Sequence, residues 1–163
     1  HAPLELDALA PHPGIGRRIA RDAVTLVRGE PRGDALADYA IVFGEASLHA
    51  QAPALEEQRL ELDPNDDTVS AMLEALRHSE RRALVLSYRA HLYPRQARAI
   101  DAILAHAPDA LVVSTGEPYD LPLFARARHV LACYGNDNVS FAGLADVVFL
   151  GAPCIGVLPV ALS

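Results

Sequence analysis

The sequence contains no lysine; all 14 of its basic residues are arginines. Chemistry that needs an ε-amino group is thereby excluded, including lysine Schiff bases and the lysine of a phosphate-binding loop. Only two cysteines occur, Cys133 and Cys154. They lack metal-ligand spacing, and each falls within or beside an apolar segment, so they read as buried thiols. None of the seven histidines pairs with another in the i, i+4 arrangement of a zinc helix, so neither a metal nor a cofactor is expected. Ser87, Ser114 and Ser140 lack the flanking glycines of a nucleophile elbow. No window approaches the roughly 20 apolar residues of a membrane span, and the N-terminus lacks the sectors of a signal peptide. No membrane partner is expected, and the compartment stays open. The formal charge is −7, and the arginines are scattered apart from Arg17-Arg18 and Arg81-Arg82. No nucleic-acid partner is expected either.

What the chain has is apolar residue, 51% of the total. At 163 residues that supports one substantial core, hence a single domain over 1–163 with a linker-like lead-in over 1–13. Short apolar segments without polar alternation mark strands buried on both faces: Val24–Arg28, Tyr39–Phe43, Arg82–Tyr88, Ala110–Thr115, Val130–Tyr134 and Ile155–Leu158. Gln58–Leu62 alternates, as an edge strand does. Helices are expected over Ile19–Val24, Val69–Arg77, Gln96–His106 and Ser140–Leu150. Weak helical character covers Glu45–Glu57, broken by Pro53. Gly14-Ile15-Gly16 precedes the first strand where a phosphate loop would follow one, so it reads as a turn. The repeated crossovers give an α/β fold, a three-layer α/β/α sandwich with a mostly parallel sheet and flavodoxin-like winding.

The polar residues of interest follow the strands. Tyr88, Arg89 and His91 follow one, Glu117, Tyr119 and Asp120 the next, and Asn136, Asp137 and Asn138 a third. If these strands are parallel neighbours, their ends converge on one edge, where open α/β sheets place ligands. Purely structural roles compete: Asp120 as a cap of the short helix after it, Asp137 or Asn138 as the cap of the helix through Ser140, and Tyr119 packing beside Pro118.

Four groups of residues in order carry a family resemblance: Ile19–Val27, Ser87–Gln96, Pro118-Tyr119-Asp120-Leu121, and Tyr134-Gly135 with Gly151-Ala152-Pro153 and Gly156–Val160. Together they resemble the C-terminal α/β domain of a family 3 glycoside hydrolase, most closely the bacterial β-N-acetylhexosaminidase (β-N-acetylglucosaminidase) branch. The stretch from Pro31 to Glu57 matches poorly. The resemblance implies that the nucleophilic aspartate lies on a (β/α)₈ barrel, a fold of about 250 residues that this chain cannot contain. It further implies that proton transfer in the hexosaminidase branch uses a His/Asp pair of the barrel, whereas the β-glucosidase branch uses a glutamate of the second domain. The segment Ser87–Tyr93 has no acid where the glucosidase type would carry one.

The expectation is therefore a non-catalytic C-terminal domain of a retaining hydrolase that removes terminal β-linked N-acetylhexosamine. No catalytic residue is assigned to it. Its partners would be the barrel of the same protein and the amino-sugar glycan. Tyr88, His91, Tyr119, Asp120 and Asn136 are the candidate cleft or domain-interface residues. Two alternatives stay open: a self-standing module binding a sugar or nucleotide, and a β-glucosidase second domain whose acid is displaced into Glu45–Glu57, where Glu56 and Glu57 are adjacent.

Overall fold

The computed structural model describes residues 13–31, 39–77 and 83–159. The strands are β1 (Thr25–Arg28), β2 (Tyr39–Phe43), β3 (Glu56–Leu60), β4 (Leu84–Ser87), β5 (Leu111–Ser114) and β6 (His129–Ala132). They form one sheet in the order β1-β6-β5-β4-β2-β3. All neighbours are parallel except β1 and β6, which run antiparallel at one edge. The helices are α1 (Pro13–Ala23), α2 (Asp66–Arg77), α3 (Pro94–His106) and α4 (Asn138–Val148), with 3₁₀ turns at Ala90–Leu92 and Pro118–Phe124.

The missing polar alternation in the central strands now has its physical cause. Ile41, Phe43, Val85 and Val112 face one core, closed by Met72 and Leu76 of α2 and by Ile100 and Ile103 of α3. Ala40, Val42, Leu84, Leu86 and Val113 face the other, closed by Phe141, Leu144 and Val148 of α4. Each fully buried Val, Leu, Ile or Phe side chain contributes about 1.5–3 kcal/mol. A helix cap is worth only about 1 kcal/mol. Packing therefore sets where the strands lie, and caps trim the helix ends. Asn65 Oδ1 accepts the Thr68 N–H at 2.8 Å, which starts α2 at Asp66, three residues before the sequence pattern does. Asp137 Oδ1 accepts the N–H groups of Val139 and Ser140 at 2.8 and 3.0 Å, so Asp137 is the cap of α4.

Several sequence expectations are corrected. The Gly14–Gly16 segment is not a turn; it lies inside α1, which opens at Pro13, a residue suited to a first helical position. The backbone of α1 then passes close over α4. A Cβ on Gly143 would sit 2.4 Å from the Arg21 nitrogen, and Arg17 pairs with Asp146. Residues 45–55 form turns in place of the weak helix, and β3 begins at Glu56. Ile155–Leu158 is no strand. It lies beside the start of β1 and donates one backbone hydrogen bond, Gly156 N to Val24 O at 3.3 Å. Ile155 and Val157 stay 60% and 83% exposed, the opposite of the burial their apolar character suggests. The lead-in over 1–13 and most of the loop 29–38 lie outside the described residues; of the lead-in, only Pro13 is described.

Cys133 is buried and Cys154 half-buried, both as free thiols. Burial pushes the Cys133 thiol up to about 12, so it is protonated and unreactive at neutral pH.

Candidate functional site

Parallel pairing of β2, β4, β5 and β6 brings their carboxyl ends to one edge. The chain adds β3 on one side of β2 and β4 on the other, then continues outward through β5 and β6. The reversal of winding thus falls between β2 and β4, the crevice where such sheets hold ligands. Two non-glycine residues with left-handed backbone lie on this edge, Arg89 (φ 54°) after β4 and Tyr134 (φ 48°) after β6. Such a conformation costs on the order of 1 kcal/mol or more for a side-chain-bearing residue and persists where surrounding contacts impose it.

The five candidate residues all reach this edge, but they divide into two groups. His91, Tyr119 and Asp120 form the first. Asp120 is buried, with 1% exposure, inside the Pro118–Phe124 turn. It does not cap that turn. Its Oδ1 instead accepts the His91 backbone N–H at 2.9 Å and lies 2.7 Å from His91 Nδ1. Ser87 Oγ sits 3.3 Å from both Asp120 Oδ2 and the Val113 carbonyl. The carboxyl group thus fastens the loop after β4 to the loop after β5 and sets the orientation of the imidazole. Tyr119 does not pack into the core. It is 61% exposed and meets the His91 ring edge-on, with centroids 5.8 Å apart.

Tyr88 and Asn136 belong to the second group, around a cavity of about 800 Å³. Its walls are Gly44 and Glu45 after β2, Glu61 and Asp63 after β3, Tyr88 and Tyr93 after β4, Asn136 after β6, and Arg59 at the end of β3. Gly44 adopts φ +92°, which turns the chain away from β2 and opens this space. Gln96, fully buried on α3, holds two walls together: its Oε1 accepts the Tyr88 N–H at 3.0 Å. Its Nε2 donates to the carbonyls of Leu62 and Tyr88 at 3.1 and 3.2 Å. Thr115 Oγ1 donates to the Ser87 carbonyl at 2.7 Å and lies 3.3 Å from Asn136 Oδ1.

The carboxylates along the edge are largely committed to structure. Glu117 pairs with Arg89 at 3.2 Å, and the guanidinium's hydrogen bond holds its carboxyl below the usual range. The Ser140 N–H does the same for Asp137. Asp63 lies 3.7 Å from Arg95. Glu57 accepts Ser47 Oγ at 2.8 Å and the Leu48 N–H. Glu56 and Glu57 open β3, so Glu57 lies three residues, about 10 Å, from the strand's carboxyl end. Glu57 also lies 3.9 Å from Arg59, so it is held by Ser47, Leu48 and Arg59 near the start of β3; of the segment Glu45–Glu57 it is Glu45 that lines the cavity. Among the described residues no group of three His, Cys, Asp or Glu side chains is placed to hold a metal ion. No helix among them is long and apolar enough to cross a membrane.

Sequence reading missed Glu45, Glu61, Tyr93 and Gln96. A signal existed for Gln96, a polar residue on the apolar face of a helix pattern. Glu45 and Glu61 directly follow β2 and β3, but the poorly patterned stretch between those strands concealed that both end on the same edge.

No known protein-family model and no curated protein matches the sequence. Solved structures do. A glycoside hydrolase family 3 β-N-acetylglucosaminidase from Paenibacillus sp. str. FPU-7 is similar with TM-score 0.73 and 23% identity, over 88% of this chain and 31% of that one. A fungal multi-domain family 3 β-N-acetylglucosaminidase gives TM-score 0.77 and 16% identity, over 98% of this chain and 20% of its own. The family 3 β-glucosidase of Bifidobacterium adolescentis gives 0.65 and 14%, over 91% and 28%. At these identities the likeness establishes the fold: an α/β sandwich that these enzymes also contain. This chain spans between about a fifth and a third of their lengths.

Proposed function

We propose that the chain is the C-terminal α/β domain of a family 3 glycoside hydrolase that removes terminal β-linked N-acetylglucosamine with retention. In this reading the domain covers one side of a (β/α)₈ barrel that carries the catalytic groups, and its carboxyl edge borders the glycan cleft. The observation that carries the proposal is the near-complete overlay of this chain on a minor part of two β-N-acetylglucosaminidases. The edge chemistry supports a non-catalytic role. Retaining hydrolysis needs two carboxyl groups, or equivalent groups, about 5 Å apart across the bond. Here Asp120, Glu117, Asp137 and Asp63 are each held by neighbouring groups, and of the two carboxylates left on the cavity wall, Glu45 and Glu61, neither lies in the segment after β4 where the β-glucosidase branch carries its acid. The segment Ser87–Tyr93 contributes no acid, which favours the N-acetylglucosaminidase branch over the β-glucosidase branch.

The test is turnover of an aryl β-N-acetylglucosaminide by the purified chain alone and by the chain coexpressed with the barrel segment of its parent. The expected result is no turnover alone and activity only when both parts associate. Enzyme-like turnover by the chain alone would overturn the proposal. So would a barrel that reaches full activity and stability without it.

A further inference from the structure

We infer that the cavity between the ends of β2, β3 and β4 is itself a saccharide-binding site, gripping sugar hydroxyls through Glu45 and Glu61. Its volume of about 800 Å³ falls within the usual range for small-molecule sites. It opens at the reversal of winding, where the loops after adjacent strands diverge. It is also built in advance. Gln96 spends all three of its hydrogen bonds joining the Leu62 and Tyr88 walls, so ligand binding need not order them.

The lining selects the chemical class. Glu45 and Glu61 follow β2 and β3, whose last residues Phe43 and Leu60 are paired, so the two carboxylates come from adjacent chain ends. Neither has an ion-pair partner among the described residues, whereas Asp63 beside them lies within reach of Arg95. The lining holds one guanidinium, Arg59, which lies 3.9 Å from Glu57, against the carboxylates of Glu45, Glu61 and Asp63, so the space as a whole disfavours a phosphate or carboxylate ligand. Glu45 and Glu61 accept hydrogen bonds well from neutral hydroxyls, the stronger because the acceptor is charged. Tyr88 and Tyr93 supply apolar ring surface for the C–H faces of a pyranose, and Asn136 offers an amide that both donates and accepts. A nucleotide is disfavoured twice, by the carboxylates and by the lack of a glycine-rich turn cradling phosphate after a strand. A neutral sugar of one to a few units satisfies the whole lining.

This inference deepens the proposed function and rests on it for the choice of an amino sugar as probe. It assigns the cavity a binding role that the isolated chain can display. The experiment is titration of the 163-residue chain with N,N′-diacetylchitobiose, with cellobiose and AMP as comparisons, followed by calorimetry and by NMR of the tyrosine rings. Saturable binding of the amino-sugar disaccharide with shifts at Tyr88 and Tyr93 is expected. Affinity should fall at least tenfold in the double variant Glu45→Gln, Glu61→Gln, whose exposed positions leave the melting temperature unchanged. Absence of saturable binding by either disaccharide to the folded chain would overturn the inference. Undiminished binding by the double variant, or preference for AMP, would do the same. Disaccharide binding without barrel association would leave the cavity assignment standing and remove the domain reading; association without binding would do the reverse.

Discussion

Asp120 shows how one side chain can look like a cap in sequence and serve as a fastener in the fold. Its position before Leu121-Pro122 suits a helix start, yet its carboxylate turns inward to the His91 N–H and ring. Removing it strands those two donors, while the Ser87 hydroxyl can turn wholly to the Val113 carbonyl. A fully buried donor left unsatisfied costs about 1–3 kcal/mol, and less at His91, an exposed residue whose donors water can reach. Asp120→Ala should therefore lose about 2 kcal/mol of unfolding free energy in urea. Asp120→Asn, which retains one acceptor oxygen, should lose about 1 kcal/mol. Equal losses in the two variants would show that the carboxyl oxygens do not carry this contact.

At the scale of elements, α1 and the segment after α4 are placed by close backbone approach and not by large apolar side chains. The six residues of α1 from Gly14 to Ile19 are exposed, and the helix meets α4 at Gly143. Gly143→Ala sets two effects against each other. Alanine favours a helix interior by about 1 kcal/mol. Its Cβ, however, would stand 2.4 Å from the backbone nitrogen of Arg21, which cannot move aside as a flexible side chain would. Overpacking of this kind costs about 1–3 kcal/mol, so the net result should be destabilising. Faster hydrogen exchange across α1, with α2 and α3 unaffected, is the expected signature; slower exchange in α1 would contradict it. The same reasoning explains why the sequence pattern misassigned these parts. Periodicity reports buried side chains, and here the determining contacts are made where side chains are absent. The central strands and α2 to α4, which bury large apolar groups, were readable with errors of a few residues at their ends.

For the whole molecule, two carboxylates that anchor helices contribute to the loss of stability in acid. Asp137 and Asp146 both titrate below their ordinary value of 3.8, the first through the Ser140 N–H and the second through Arg17. A carboxyl with a lowered folded-state value binds its proton less readily folded than unfolded. Its stabilising contribution is therefore complete above the unfolded value of about 4 and drains away as pH falls toward the folded one. Unfolding free energy should be nearly flat from pH 7 to 5 with respect to these groups and decline below pH 4. Asp137→Asn should lessen that decline while costing only a few tenths of a kcal/mol at pH 7, since asparagine caps almost as well. A variant with the full acid decline of the parent would remove Asp137 from this account.

The sequence by itself determined the layered α/β architecture, the parallel core strands and the edge on which polar residues gather, because burial on two faces leaves a direct mark in composition. It also carried enough ordered short motifs for the family resemblance, which the overlay on family 3 hydrolase structures supports. Only the tertiary structure decided that the five candidate residues separate into a fastened His91–Asp120 pair and a cavity. Only it brought Glu45 and Glu61 together on one cavity wall and tied Glu57 to Ser47 and Leu48. Those outcomes depend on strand order and register, which bring side chains distant in sequence to one place and leave no periodic trace in the chain.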